Sequence, residues 1–391
     1  MPGLHATLSA SSSKRWLSCP PSARLEEKLR GRFGDKSSVY AEEGTRAHAL
    51  AELKLWRVGT AEINEFNFKE QLKAMGDLPK EMDRYTDVYV DVILEKLFAA
   101  RAQDPDAKLF VEQRLDFSPW VPGGFGTGDA VIVSNHTLEV CDLKYGKGVP
   151  VSAEENPQAR LYGLGAIHIF GSIYDFDMVR NTIIQPRLDS ISDETLTRAE
   201  LLEWGERIKP IAQQAWEGKG EFVTGDHCKF CAARAICAKR ASEALSIVRY
   251  GFDTPGVISD DDIPGILAVL DTAESWCKDI REYAKNQALN GVRFHGWKLV
   301  RGRRGARNFT NEEKVREQLN RAGYDNEQIE KHGLKSPAEI EKLIGKNAFD
   351  ALVGAYVAQA QGSLDLAPED DKRPEFASAD ADFNDMTGGT A

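Results

Sequence analysis

The chain has 391 residues, of which 42% are apolar and 28% charged, values that are normal for a globular protein with room for one large or two ordinary domains. No apolar run approaches the roughly 20 residues that a membrane span needs, and the N-terminus lacks the apolar segment of a signal peptide. We therefore expect a cytoplasmic protein with no membrane partner.

The predicted elements follow from apolar spacing and from helix-start signals. Helical signals fall, in chain order, at residues 45–57, 81–102, 157–170 and 197–218. Alternating apolar residues predict strands over 108–115, 129–134, 138–144 and within 177–187. After residue 241 the pattern is mostly helical, with one strand near 296–300 and a capping box that opens at Ser336. The sequence therefore predicts a mixed α/β core in which helices pack on a sheet.

Two carboxylates meet in the predicted hairpin. If the turn is centred on Asn135 and His136, Asp129 lies directly opposite Asp142. The Cβ atoms of such a pair are about 4.5–5.5 Å apart, and like charges there destabilise a sheet. A hard cation such as Mg²⁺ or Mn²⁺, which takes oxygen ligands, would relieve this repulsion. Lys144 shares the face of Asp142 because side chains alternate along a strand. Solvated strand-end charges would give the same pattern.

Polar residues on two helices accompany this hairpin. His48 follows Glu43-Gly44-Thr45 in E-G-T-x-x-H, and Gln158 and Tyr162 lie one helical turn apart. A structural histidine and a polar helix rim are the plain alternatives.

Three cysteines lie in HCKFCAARAIC, residues 227–237, with C-x2-C-x5-C spacing. Six cysteines in a chain of 391 residues do not form a disulfide scaffold, and clustered cysteines in a reducing compartment indicate metal or redox ligands. A closed tetrahedral site needs a fourth ligand, which does not follow downstream. Cys141 and Cys277 have no partner pattern, and we expect both to be ordinary thiols.

The charge is unevenly distributed along the chain. The net charge of −11 argues against a nucleic-acid partner, but residues 362–391 carry −6 of it, with eight acidic and two basic residues. This segment is predicted to be a disordered acidic tail, either a docking segment for a recombination protein or a solubilising end. Residues 293–307 (RFHGWKLVRGRRGAR) contain six Lys or Arg and no acid. Such a local basic patch suits phosphate binding, although a solvated hairpin would look the same.

The ordered set His48, G-T-G-Asp129, Asp142-x-Lys144 and Gln158-x-x-x-Tyr162 resembles the PD-(D/E)XK nuclease superfamily. More narrowly it is similar to the RecB-type branch that includes the CRISPR-adaptation exonucleases. The resemblance covers roughly residues 8–240, and Asp142 stands where glutamate is commoner. The whole chain also resembles an uncharacterised phage-encoded family with this core, through G-W-K-L-V-x-G-R and the late D-K-R-P.

This resemblance implies a fold, an activity and roles for residues. The fold is an α/β PD-(D/E)XK restriction-endonuclease-like core with a mostly helical C-terminal extension. The activity is a Mg²⁺- or Mn²⁺-dependent deoxyribonuclease, an exonuclease in phage-type DNA recombination or processing, with single-stranded DNA or duplex ends as substrate. His48, Asp129, Asp142 and the Leu143 carbonyl would bind the metal, and Lys144 would position water. Gln158 and Tyr162 would contact the DNA backbone. We further consider three arginines as phosphate-binding candidates: Arg301, Arg303 and Arg304.

Iron–sulfur members of the branch carry one cysteine far upstream of three others. Cys19 fits the upstream position, so the resemblance implies a [4Fe–4S] cluster held by Cys19, Cys228, Cys231 and Cys237. The predicted organisation is a nuclease core closed by this cluster at 1–240, a helical extension with a basic hairpin at 241–361, and the acidic tail at 362–391. Two alternatives remain open: a non-catalytic DNA-binding or scaffold protein on the same fold, and a zinc-stabilised interaction module with His227 or Cys19 completing the site.

Overall fold

The structure is a computed structural model that describes residues 6–29, 39–246, 260–330 and 333–376. Two units divide between Val257 and Ile258, later in the chain than the predicted boundary at residue 240.

Helices of the first unit surround a central sheet. In chain order they are α1 (Ser13–Ser18), α2 (Ser22–Leu29), α3 (Val39–Val58), α4 (Glu65–Ala74), α5 (Lys80–Gln103), α6 (Pro157–Phe170), α7 (Arg198–Glu217) and α8 (Ala238–Ala244). Helix α6 begins where it was predicted, because the Asn156 side chain accepts hydrogen bonds from the amides of Gln158 and Ala159 and Pro157 occupies the first turn.

Five strands in the described part of the first unit form one sheet in the order β1-β2-β3-β4-β5. They are β1 (Lys108–Asp116), β2 (Phe125–Val133), β3 (Thr137–Leu143), β4 (Met178–Gln185) and β5 (Ser190–Thr197). β3 and β4 are parallel and joined through α6, while the other neighbours are antiparallel. The predicted mixed α/β core, a mixed sheet flanked by helices, is confirmed.

The β2–β3 hairpin has the predicted register. Val131 pairs with Val140 and Ala130 pairs with Cys141, so the next position brings Asp129 opposite Asp142. The turn is held by Ser134, whose hydroxyl accepts hydrogen bonds from the amides of His136 and Thr137. A short polar turn thus fixes which side chains share each face of the sheet.

Each face of the sheet is covered by a different hydrophobic core. Val131 and Val140 pack with α6 residues such as Leu161 and Leu164. The residues between them along the strands, such as Ile132, pack on the other side with side chains of α3 and α5. Alternation along β2 and β3 therefore buries both faces, and the polar site lies where the end of β3, with Asp142, faces the middle of β2, with Asp129.

The second unit is mostly helical, as predicted, but has more strands than predicted. Its elements are α9 (Ile263–Leu289), β6 (Trp297–Arg301), β7 (Arg307–Phe309), α10 (Glu312–Arg321), α11 (Asn326–Ile329), α12 (Pro337–Ile344), α13 (Lys346–Val353), β8 (Val357–Gln359) and β9 (Leu364–Pro368). β6 pairs with β9 and β7 with β8. The capping box predicted at Ser336 is present.

The predicted acidic tail is wrong at its beginning. β9, which lies inside 362–391, forms an antiparallel ladder with β6 from Trp297↔Pro368 to Arg301↔Leu364. The backbone hydrogen bonds of this ladder order a segment whose composition alone indicated disorder. Residues 377–391, the rest of the predicted tail, lie outside the described residues. Among the helices that the structure describes, none is long and apolar enough to cross a membrane.

Candidate active site

Asp129 and Asp142 form the centre of the site on neighbouring strands. The Asp129 Oδ2 atom accepts a hydrogen bond from the Leu143 amide at 2.7 Å, which fixes the carboxylate across the hairpin. Asp142 is buried, with 8% of its surface exposed. Burial raises the pKa of Asp142, Lys144 opposes this rise and Asp129 adds to it. The two acids therefore meet in a setting that favours a bound cation.

Lys144 and Gln158 complete a polar cluster around Asp142. The Lys144 Nζ atom lies 2.8 Å from Asp142 Oδ2. The Gln158 amide donates to Asp142 Oδ1 at 3.2 Å and accepts from Lys144 Nζ at 3.3 Å. The backbone of Lys144 is held by β4, since its amide donates to the Ile184 carbonyl at 2.9 Å. Strand β3, strand β4 and helix α6 thus converge on one ammonium group.

His48 reaches the site from α3. Its Nδ1 atom lies 3.2 Å from Asp129 Oδ1. Burial alone would lower the pKa of His48, but the hydrogen bond to Asp129 and the nearby negative charges raise it above its ordinary value. A histidine so placed is either an imidazolium partner of Asp129 or, when neutral, a metal ligand.

Glu112 joins these residues and was not predicted from the sequence. One ligand atom from each of Glu112, His48 and Asp129 lies within 4.8 Å of the others. Glu112 is opposite Asp129, between the pairs Val111↔Ala130 and Gln113↔Gly128, and its φ of 49° is left-handed inside a strand. The loop between β1 and β2 is too irregular for their register to be predicted, so the sequence carried no usable signal for this contact.

The pKa of the Glu112 carboxyl group is raised by its surroundings. Burial, Asp129 and Glu52 raise its pKa to about 7, and His48 partly opposes the rise. Without a cation, the third acid is therefore protonated for part of the time near neutral pH.

Tyr162 is brought to the site but is largely enclosed. It is 8% exposed and packs against Gly126 of β2, where an added Cβ would lie 2.6 Å from the ring. Burial raises the pKa of the Tyr162 phenol, a rise to which Asp142 adds and which a hydrogen bond with Gln158 opposes. This placement leaves little of the ring exposed for contact with a DNA backbone.

The four predicted cluster cysteines, one near the N-terminus and three after α7, line one narrow cavity. Its wall includes Cys19, Cys228, Cys231 and Cys237 together with Arg15, Arg234 and Arg240. The Ala232 amide donates to Glu26 at 2.6 Å, and Arg15 pairs with Glu26 at 2.7 Å and donates to the Phe230 carbonyl at 3.2 Å. These contacts attach α1 and α2 to the cysteine segment.

The sulfur atoms of these cysteines are not gathered around one point. In the part of the chain that the structure describes, no three cysteine sulfurs lie within 4.8 Å of one another. A single tetrahedral zinc ion, with Zn–S bonds of about 2.3 Å, needs sulfurs about 3.8 Å apart. Burial raises the pKa of the Cys231 thiol to about 12, so this thiol needs a bound metal to be held as a thiolate. His227 also lines the cavity, but its Nε2 lies 2.9 Å from the Val223 carbonyl.

The three arginine candidates lie in the second unit. Arg301, Arg303 and Arg304 are exposed at the end of β6 and in the loop that follows it. Of the two cysteines outside the cavity, Cys141 is buried in β3 and Cys277 is exposed in α9.

The chain belongs to a family described as a protein of unknown function, DUF2800, whose sequence model matches residues 5–374. Among solved structures, it is similar to SSO0001, with 14% identity, a TM-score of 0.28, and 61% of this chain and 89% of that chain covered. It is also similar to a protein from Eubacterium rectale that is provisionally named an exonuclease, with 16% identity, a TM-score of 0.32, and 66% and 92% covered. Likeness at this level says nothing of function, which has to be argued from the site residues.

Proposed function

We propose that this protein is a metal-dependent nuclease that hydrolyses phosphodiester bonds in DNA. One observation carries the proposal: Asp129 and Asp142 are opposed on neighbouring strands, with the Lys144 ammonium 2.8 Å from Asp142. Two carboxylates and a lysine in this arrangement suit Mg²⁺ or Mn²⁺ next to a phosphate, since hard cations prefer oxygen ligands. The sequence resemblance to RecB-type nucleases points to the same chemistry.

The ligand set combines the resemblance with the geometry, which brings ligand atoms of His48, Glu112 and Asp129, but not of Asp142, within 4.8 Å of one another. Asp129, Asp142 and His48 would hold the metal together with the Leu143 carbonyl, and Glu112 adds a carboxylate that the resemblance did not include. When bound, the metal lowers the pKa of a coordinated water and stabilises charge on the scissile phosphate. A protonated Glu112 would give up its proton on binding, because ligands must be deprotonated.

The chain's own residues orient the reaction. Lys144, whose ammonium group lies next to Asp142, positions the attacking water and offsets negative charge that develops on the phosphate. Gln158 bridges Lys144 and Asp142 and so fixes the ammonium group. Tyr162 supports Gln158 from the side of α6.

We extend the proposal to a structural iron–sulfur cluster in the cysteine cavity. Four cysteines line the cavity, arginines around it would balance an anionic group, and the sequence resemblance to iron–sulfur members of the RecB-type branch points to the same group. We therefore favour a [4Fe–4S] cluster over the zinc-stabilised module. Exonuclease action on single strands or duplex ends, a role in phage-type recombination, a recombination partner for the acidic tail and a cytoplasmic location rest on the sequence alone.

The test of the nuclease uses full-length protein purified without air. End-labelled single-stranded and duplex DNA are incubated with Mg²⁺, Mn²⁺ or EDTA. We expect degradation with metal and none with EDTA. Lys144→Ala should reduce the rate about 100- to 1000-fold, the usual loss when one charge-stabilising group is removed. The pattern of fragments shows the polarity and separates exonuclease from endonuclease action.

Lys147→Ala is the matched control. Lys147 lies in the same segment, is 54% exposed and, among the described residues, has a single ion pair, a long one of 3.8 Å with Glu81, so its loss should leave the rate unchanged. DNA binding without cleavage under every metal would favour the scaffold alternative. Equal rates for the Lys144 variant and wild type would remove the proposed active site.

A further inference from the structure

In the second unit, the two-stranded sheet formed by β6 and β9 has one covered and one open face. Val300 and Ala367 are buried on the covered face, where α9 packs against β6 and β9. Lys285 of α9 pairs with Asp365 at 3.3 Å, and Asp365 is the ladder partner of Val300. Because side chains alternate along a strand, Trp297, Leu299 and Arg301 lie on the other face.

The open face presents an aromatic ring and cations together. Trp297 is 50% exposed. Arg301 is exposed, and its guanidinium lies 5.0 Å from the centre of the Phe376 ring. Arg303 and Arg304 follow in the loop and are exposed; within the described ranges neither has an ion pair. Trp297 and Arg301 are four residues apart, or about 13 Å along the strand.

Nearby acids offset part of this charge, against three arginines at the end of β6 and in its loop. Asp365 and Glu375 are both partners of Val300; Asp365 pairs with Lys285 and its carboxylate lies next to Gly302, while Glu375 is exposed. Asp371 is held by Arg373 in a pair of hydrogen bonds at 2.9 and 2.8 Å. Two further acids, Glu369 and Asp370, follow β9 at the Trp297 end. The face is therefore basic where β6 ends and aromatic where it begins.

We propose that this open face binds single-stranded DNA, with bases stacked on Trp297 and phosphates held by Arg301, Arg303 and Arg304. An exposed ring on a flat face can stack on an unpaired base, whereas the bases of a duplex are already stacked on one another. Arginines next to an aromatic platform are the usual way in which proteins follow a single strand without reading its sequence. The proposal does not depend on cleavage, so it stands or falls separately from the nuclease.

The test measures binding in EDTA, where no metal-dependent cleavage occurs. Full-length protein is titrated into fluorescein-labelled oligo-dT and into a labelled duplex of the same length, at several salt concentrations. Trp297→Ala should weaken oligo-dT binding about 5- to 150-fold, the range for loss of one stacked base, and Trp297→Phe should restore most of it. The double variant Arg303→Ala/Arg304→Ala should reduce the slope of log K against log[salt] by about 1.4, since each phosphate contact on a single strand contributes about 0.7.

Lys342→Ala/Lys346→Ala is the matched control for charge. Both lysines are exposed in the same unit and lie outside its sheets. The proposal is overturned if this control changes the slope as much as the arginine variant does. It is also overturned if Trp297→Ala binds oligo-dT like wild type, or if Trp297→Ala and Trp297→Phe lose binding equally while circular dichroism shows both folded. Such a result would indicate that the face covers a protein partner.

Discussion

Three carboxylates lie in one row across three strands, Glu112 on β1, Asp129 on β2 and Asp142 on β3. Adjacent like charges in a sheet repel one another. Without a cation, burial and the charge of Asp129 raise the pKa values of Glu112 and Asp142, and the positive charges of Lys144 and His48 partly oppose the rise. A left-handed backbone at Glu112, which costs of order 1 kcal/mol or more for a residue with a side chain, is consistent with a functional role for this carboxylate.

Replacing Glu112 should change how the free energy of unfolding depends on pH. The pKa of Glu112 is about 7 in the folded protein and 4.5 in its ordinary state. The folded protein therefore holds a proton that the unfolded chain releases, so stability falls as pH rises from about 4.5 to 7. Glu112→Gln removes this loss. In EDTA we expect the free energy of unfolding in urea to rise by about 1–2 kcal/mol at pH 8, a value discounted for partial exposure, and by much less at pH 5.

Two comparisons make the Glu112 result specific. Glu70→Gln, at an exposed position of α4, should leave the free energy of unfolding unchanged at both pH values. Adding Mn²⁺ should stabilise wild type more than Glu112→Gln, because the amide is a poorer ligand. A variant equally stabilised at pH 5 and pH 8 would show that ionisation of Glu112 is not the cause.

At the scale of elements, turn and helix-cap residues in the sequence predicted the hairpin register and the start of α6. The tight turn at Asn135 and His136 determined the β2–β3 register, and Asn156 determined where α6 begins. Strand β5 was missed because its side chains are mostly polar and exposed, and α4 because it buries little beyond Phe68. Glu112 was missed because the irregular loop between β1 and β2 does not show from sequence which residue of β2 lies opposite it. The sequence therefore predicts contacts that short turns define and not those that depend on packing at a distance.

The packing of β2 against α6 gives the second prediction. Gly126 leaves room for the Tyr162 ring, and a Cβ there would lie 2.6 Å from Cε1. Gly126→Ala should displace the ring and cost about 1–3 kcal/mol of stability, as overpacking usually does. Because Tyr162 supports Gln158, the same change should lower the nuclease rate. Urea unfolding and the DNA assay measure the two effects.

Gly148→Ala serves as the comparison for Gly126→Ala, since a Cβ at Gly148 meets nothing within 4 Å. We expect wild-type stability and rate from it. Tyr162→Phe keeps the ring and removes only the hydroxyl, so it should keep most of the stability and lose part of the rate. If Gly126→Ala retained the full rate despite its lower stability, Tyr162 would have no part in arranging the site.

At the scale of the whole molecule, the family model spans both units, from residue 5 to 374. The two units therefore occur together in the family, although the resemblance to nucleases covers only the first. The two proposals above assign the chemistry to the first unit and a contact with single-stranded DNA to the second.

The cysteine cavity joins distant parts of the first unit, since Cys19 and Cys228 are 209 positions apart in the sequence. A permanent link across such a loop would stabilise the fold by up to about 5 kcal/mol in the chain-entropy model, and a metal cluster acts in the same direction.

Cys19→Ala, purified without air, should lose most of its iron and brown colour and should melt at a lower temperature. Cys277→Ala removes an exposed cysteine of α9 and should keep both properties. Iron, sulfide and zinc analysis together with thermal melts measure the outcome. A Cys19 variant with the iron content and melting temperature of wild type would exclude Cys19 as the fourth ligand, and zinc in place of iron in wild type would replace the cluster by a zinc site.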